Sequence, residues 1–196
     1  MVKVARSRSG FGSHAGESME GLVMIDAANY SATETLRDGR TITIRAQRPE
    51  DLEGWRAALA RTSAETLYLR FFGPKREISE KEAHYFLDID FIKHVALVAI
   101  AEEDGRPVLI GGGRYIVIEP GKAEAAFALI DDYQAMGIGS ALMRHLVAIG
   151  REAGLSELVA EVLSDNLSML KVFERSGLSM RTRREGPVVH VTLRYP

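Results

Sequence analysis

Hydrophobic and polar positions change period several times along the chain, and each change marks an element. Thr41-Ile42-Thr43-Ile44-Arg45-Ala46 alternates with the period of two of a half-buried strand, after a turn at Asp38-Gly39. Pro49-Glu50-Asp51 then opens a helix through Trp55, Ala58 and Leu59, the proline standing where its missing N–H costs little. A second helical segment runs from Ser63 to Phe72, starting close to a capping pattern and stopping at Gly73-Pro74; a third runs from Ser79 to Leu87. Apolar runs at His94 to Glu102 and Val108 to Ile118 predict strands. The Asp104-Gly105 turn between them predicts an antiparallel pair. Gly111-Gly112-Gly113 inside the second run predicts a bulge or a close backbone approach.

A strand from Ala123 to Ile130, a helix from Gly137 to Ala153 carrying Leu142, Leu146 and Ile149 at helical spacing, and a strand from Glu157 to Leu163 predict a parallel β-α-β crossover. A last helix, Asn166 to Ser176, stops at Gly177, and Leu178 to Arg183 with Val188 to Leu193 completes the sheet. Residues 1–35 are rich in Ser, Gly and Ala without sustained periodicity. They read as a mobile N-terminal extension with a short element around Leu22 to Tyr30, which leaves residues 36–196 as one folded domain.

Composition narrows the function classes. The 196 residues are 46% hydrophobic, enough for one substantial core. A formal net charge of −2 gives no global attraction to nucleic acid or to an anionic membrane, so neither is expected as a partner. No apolar run approaches the ~18 residues of a membrane-spanning helix, and no secretory signal is visible, so a cytoplasmic protein is expected. Without cysteine, disulfides, thiolate zinc sites and cysteine nucleophiles drop out together. The five histidines lack paired ligand spacing, and no metal is expected.

The most informative stretch is Gln134-Ala135-Met136-Gly137-Ile138-Gly139-Ser140, which joins a buried strand to a helix. Unsatisfied N–H groups and the positive end of the helix dipole favour an anion there, and residues without a Cβ let a phosphate approach the main chain. Two glycines alone are weak evidence, because many strand-to-helix turns use them only for backbone freedom. A dinucleotide site fits poorly, since its third glycine falls on Leu142.

The pattern Gln-x-x-Gly-x-Gly resembles the acyl-CoA pyrophosphate loop of the GNAT superfamily of N-acyltransferases. The helix from Asn166, with its closing Gly177-Leu178, resembles that family's last helix. The resemblance covers Thr41 to Tyr195. It implies the α/β (α+β) GNAT fold: a mixed, mostly antiparallel sheet of six to seven strands with flanking helices and one parallel crossover. It further implies acetyl-CoA as acyl donor. The main chain of Leu129, Ile130 and Asp131 would pair with the pantetheine arm, and the pyrophosphate would rest on the loop from Gln134 through Met136, Gly137, Ile138, Gly139 and Ser140. Asn166 would touch the pantetheine or its water network while also capping its helix. Glu124 would be the catalytic base, and its apolar flanks Ala123, Ala125, Ala126 and Phe127 would desolvate it.

Two positions depart from the family pattern. Met136 stands where relatives carry Arg or Lys, so another cation must serve, with Arg144 one turn away as candidate. Phe173 occupies the position of a tyrosine that protonates the leaving thiolate, so it would contact cofactor without acting as an acid. Ser63-Ala64-Glu65-Thr66-Leu67-Tyr68-Leu69-Arg70-Phe71-Phe72, with Asp88-Ile89-Asp90 and Val95 to Ala99, resembles the bacterial Pat-type protein lysine acetyltransferases. That implies a protein lysine acceptor, such as one on an acyl-adenylating enzyme, drawn by Asp88, Asp90 or Asp131. A small-amine N-acetyltransferase and a non-catalytic acyl-CoA-binding regulatory module are the competing readings.

Overall fold

The alternating segments form strands where their patterns place them. A computed structural model describes residues 25–73 and 79–196. Its strands are β1 (Ser31–Thr35), β2 (Thr41–Ala46), β3 (His94–Glu103), β4 (Arg106–Glu119), β5 (Lys122–Leu129), β6 (Glu157–Leu163), β7 (Ser179–Glu185) and β8 (Val188–Arg194). They make one sheet in the order β1-β2-β3-β4-β5-β6-β8-β7, antiparallel throughout except between β5 and β6. Helices α1 (Leu52–Ala60), α2 (Ala64–Phe71) and α3 (Glu80–Leu87) lie between β2 and β3 in sequence. Helix α4 (Ile138–Glu152) makes the parallel crossover, and α5 (Leu167–Glu174) follows β6.

The sheet has eight strands among the described residues, one or two more than expected, because β1 forms inside the segment read as a mobile extension. Ser31 pairs with Arg45 and Thr35 with Thr41. Ala32 and Leu36 are buried, and Tyr30 and Glu34 both bond His145 of α4. Folded structure therefore begins before Leu36. Residues 1–24, including the start of the short element expected near Leu22, lie outside the described residues.

The three glycines of β4 fulfil both halves of their expectation. Ala99 pairs with Gly111 but Ile100 with Leu109, which leaves Ile110 as the extra residue of a bulge, with Gly111 at φ 152°. A Cβ on Gly112 would lie 2.4 Å from the Leu97 carbonyl oxygen, and one on Gly113 2.6 Å from the Phe127 ring. Only glycine fits this crossing.

Strands β5 and β6 pair only from Lys122 to Glu124 against Glu157 to Val159 and then separate. Alternation along β5 sends Ala123, Ala125 and Phe127 into the main core, where Phe127 meets Phe173 of α5 edge to face at 5.9 Å. Glu124, Ala126 and Ala128 point to the opposite face, beside their cross-strand partners Ile116, Arg114 and Gly112. Helix α4 closes the core with Leu142, Met143 and Leu146, all fully buried.

Candidate functional site

Where β5 and β6 part, a cleft of about 620 Å³ opens, a size suited to a small-molecule ligand. One wall is the edge of β5 from Ala125 to Leu129, whose backbone has no pairing partner on the β6 side among the described residues. Such an edge can accept an extended chain of amides as an added strand. At its end, Ala135 and Gly137 take left-handed conformations, φ 60° and 93°, and turn the loop into the N-terminus of α4. A Cβ on Gly137 would meet nothing within 4 Å, so its face is open. The helix dipole and its first N–H groups thus meet the cleft at a glycine.

Side chains fix this loop from behind. Asp131 accepts hydrogen bonds from the Ser63 backbone N–H at 2.6 Å, the Ser63 hydroxyl at 2.9 Å and the Thr66 hydroxyl at 2.8 Å. Burial alone would raise its pKa, but these donors hold it below the ordinary carboxylate range. Gln134 donates from Nε2 to the Thr66 hydroxyl at 3.1 Å and to the Leu129 carbonyl at 3.4 Å. One acid and one amide therefore lock α2, the end of β5 and the glycine loop into a single frame.

Of the residues expected to hold cofactor, Leu129, Gln134, Gly137, Ile138, Gly139, Ser140, Asn166 and Phe173 line the cleft together with Glu124. Met136, Ile130 and Asp131 do not. Met136 turns away, and its sulfur accepts a contact from Arg40 at 3.1 Å. Ile130 is buried, with its N–H on the Ile110 carbonyl. Gly139 serves helix packing as well, since a Cβ there would sit 3.2 Å from Val172 of α5. Asn166 does cap α5, its Oδ1 accepting from the Met169 N–H at 3.1 Å, and it lines the cleft at the same time.

Three expectations need correction. Arg144 is not the phosphate cation: it pairs with Glu34 at 2.8 Å, toward β1. The alanines around Glu124 do not enclose it, because Ala123 and Ala125 face the core while Glu124 is exposed in the cleft. Asp88, Asp90 and Asp131 do not line the cleft. Asp90 caps the turn into β3 by accepting from the backbone of Ile92, Lys93 and His94.

The cations that do line the cleft are Arg37, Arg70, Lys171 and Arg175. Lys171 and Arg175 recur with Ser168 at spacings of three and four residues, so one face of α5 carries them all, a pattern readable in the sequence. Arg37 arrives by the β1–β2 turn at Asp38-Gly39; the turn is signalled locally, but nothing in the local sequence signals that it reaches the cleft. Against these four, Glu124 and Glu161 are the acids in the lining, which gives a positive cleft.

Residues 61–178 match the model of the acetyltransferase (GNAT) family. An acetyltransferase of Pseudomonas aeruginosa is 36% identical over 137 residues, which cover 69% of this chain and 74% of that protein. The acetyltransferase Pat of Mycolicibacterium smegmatis is 33% identical over 147 residues, 72% of this chain but only 42% of the relative's length. Among solved structures, the GNAT domain of S. lividans PAT superposes with a TM-score of 0.75 at 34% identity, covering 84% of this chain and 97% of that domain.

Proposed function

Because the chain belongs to the GNAT acetyltransferase family and is an N-acetyltransferase, we propose that it transfers acetyl from acetyl-CoA to lysine side chains of proteins. The observation that carries the cofactor half is one juxtaposition: an unpaired β5 edge, an open glycine at a helix N-terminus and four cations around the same cleft. The edge offers amide partners to a pantetheine arm, the loop N–H groups offer donors to a pyrophosphate, and Arg37, Lys171 and Arg175 offer charge to phosphates.

Glu124 is the base in this reading. An ammonium has no lone pair, so the acceptor must lose a proton before its nitrogen attacks the thioester carbonyl. Glu124 stands at the point where β5 and β6 part, exposed in the cleft and able to take that proton directly or through water. No tyrosine hydroxyl is available at Phe173, so the departing thiolate takes its proton from water or from the acceptor side.

A protein acceptor is supported by the likeness to Pat over 72% of the chain and by the openness of the cleft at Glu124. Incubation with labelled acetyl-CoA and a bacterial lysate should label a few discrete protein bands. Rapid acetylation of a polyamine, with no protein labelled above the uncatalysed background, would replace the protein acceptor by a small amine.

A further inference from the structure

Behind β5, on the face that carries Glu124, lies a second hollow of about 70 Å³. Its floor is made of residues with little or no side chain, Gly112, Ala126 and Ala128, and its roof of Trp55, Leu67 and Phe86 from the helices. It shares Arg70 and the residues Ala126 to Leu129 with the main cleft, which Glu124 also lines, so the two spaces adjoin along β5. Water's share of liquid volume is about 30 Å³, so the hollow holds only a few heavy atoms.

Two guanidinium groups line this otherwise apolar space. Arg114 stacks on Phe86 at 4.6 Å and spends its donors on neutral acceptors: the Phe86 carbonyl at 3.3 Å, Gln47 Oε1 at 3.2 Å and His94 Nε2 at 3.2 Å. Burial, and then the charge of Arg70, bring its pKa down to about 10. Arg70 stacks on Phe71 at 5.0 Å and has no hydrogen-bond acceptor or carboxylate partner among the described residues. Burial lowers its pKa, and Glu124 is the anion whose field opposes that shift. Neither arginine has a carboxylate in salt-bridge contact among the described residues. Arg114 is buried and Arg70 half-buried; a cation partly withdrawn from water without a counter-ion is costly, and a planar guanidinium offers two parallel N–H bonds that match a carboxylate.

Building on the acetyltransferase reading, we propose that Arg70 binds a substrate carboxylate, and that the enzyme accepts an acyl donor whose short tail ends in one. The placement favours the donor. A methyl group leaves the hollow empty, whereas a tail of two methylenes would lie over Ala126 and Ala128 and bring its carboxylate to the guanidinium at the mouth. The alternative source of the same group is the acceptor amine, and the two are separable.

Binding is measured on the full chain with acetyl-, butyryl- and succinyl-CoA, the last two matched in chain length and differing in the carboxylate. Succinyl-CoA should bind at least ~10-fold more tightly than butyryl-CoA, the scale of one charge-assisted hydrogen bond. Arg70→Gln should erase that ratio and Arg70→Lys should keep part of it, with thermal melts confirming that each variant is folded. The wild-type ratio stands as a test even if a variant does not fold. In a second arm, acetyl transfer to free lysine is compared with transfer to cadaverine. A preference for lysine that Arg70→Gln abolishes would assign the carboxylate to the acceptor. Acetyl-CoA binding with neither preference overturns this inference alone; failure of all three thioesters to bind overturns the acetyl-CoA reading with it.

Discussion

At the scale of single residues, the site separates groups that face the cleft from groups that only neighbour it in sequence. Glu124 lies on the open face of β5, where its carboxylate is reachable from the acceptor side. Glu124→Gln keeps the shape and removes the base, so turnover should fall roughly 10²- to 10⁴-fold while acetyl-CoA affinity changes little. A variant that retains its rate from pH 6 to 9 would make Glu124 structural. The two loop glycines differ in the same way. Gly137 has an open face and φ 93°, so Gly137→Val strains the backbone and puts bulk where an anion would sit. Thermal protection by acetyl-CoA should disappear in that variant. Gly139 faces Val172, so Gly139→Val should lower the melting temperature even without ligand. Acetyl-CoA protection that survives in a folded Gly137→Val variant would contradict this division of roles.

At the scale of elements, what the sequence reveals depends on how far the cause of a structure lies from the residues that show it. The long strands and α4 are legible because their burial is written in a local period, and the glycine triplet because only a bulge or a close contact requires it. Strand β1 was not, since Ser31-Ala32-Thr33-Glu34-Thr35 is short and mostly polar. It is held by β2 along its length and by His145, more than a hundred residues away. The same distance hid Arg37 and misassigned Arg144, whose partner Glu34 lies on that unforeseen strand. Glu124 and the glycine loop were legible as motif positions, whereas the surroundings of Glu124 depend on which face of β5 the helices cover. Deleting residues 1–35 should thus remove a paired strand and leave His145 without either partner. A loss of about 3 kcal/mol, or roughly 6–12 °C in melting temperature, is expected for a chain of this size. An unchanged melt would show that β1 adds nothing to the sheet.

At the scale of the whole molecule, two buried histidines tie layers together in their neutral form, which makes stability depend on pH in a definite direction. His145 takes a hydrogen bond from the Tyr30 hydroxyl at Nδ1 and bonds Glu34 Oε1 through Nε2 at 2.8 Å, joining α4 to β1, with Arg144 on the other oxygen of Glu34. His94 bonds the Asp88 carbonyl through Nδ1 at 2.9 Å and accepts from Arg114 at Nε2, joining the end of α3 to β3 and β4. Burial lowers both pKa values; Glu34 opposes the shift at His145, and Arg114 adds to it at His94. The unfolded chain, with histidines near the ordinary value of about 6.5, therefore binds protons that the folded chain refuses. Their contribution is complete above that value and is lost as pH falls below it. Asp51 and Glu34 reinforce the trend lower down. Burial raises each, but Arg45 and Arg144 outweigh it, and their stabilisation is lost as they protonate. The melting temperature should be flat from pH 7 to 8 and decline from pH 6.5 to 5, with a further decline below about 4.5. His145→Gln removes one of the two histidines, so its decline between pH 6.5 and 5 should be shallower than that of the wild type. A wild-type melt that rises on acidification across this range would show that His145 is protonated in the fold, and its contact with Glu34 would then be an ion pair between two charged groups.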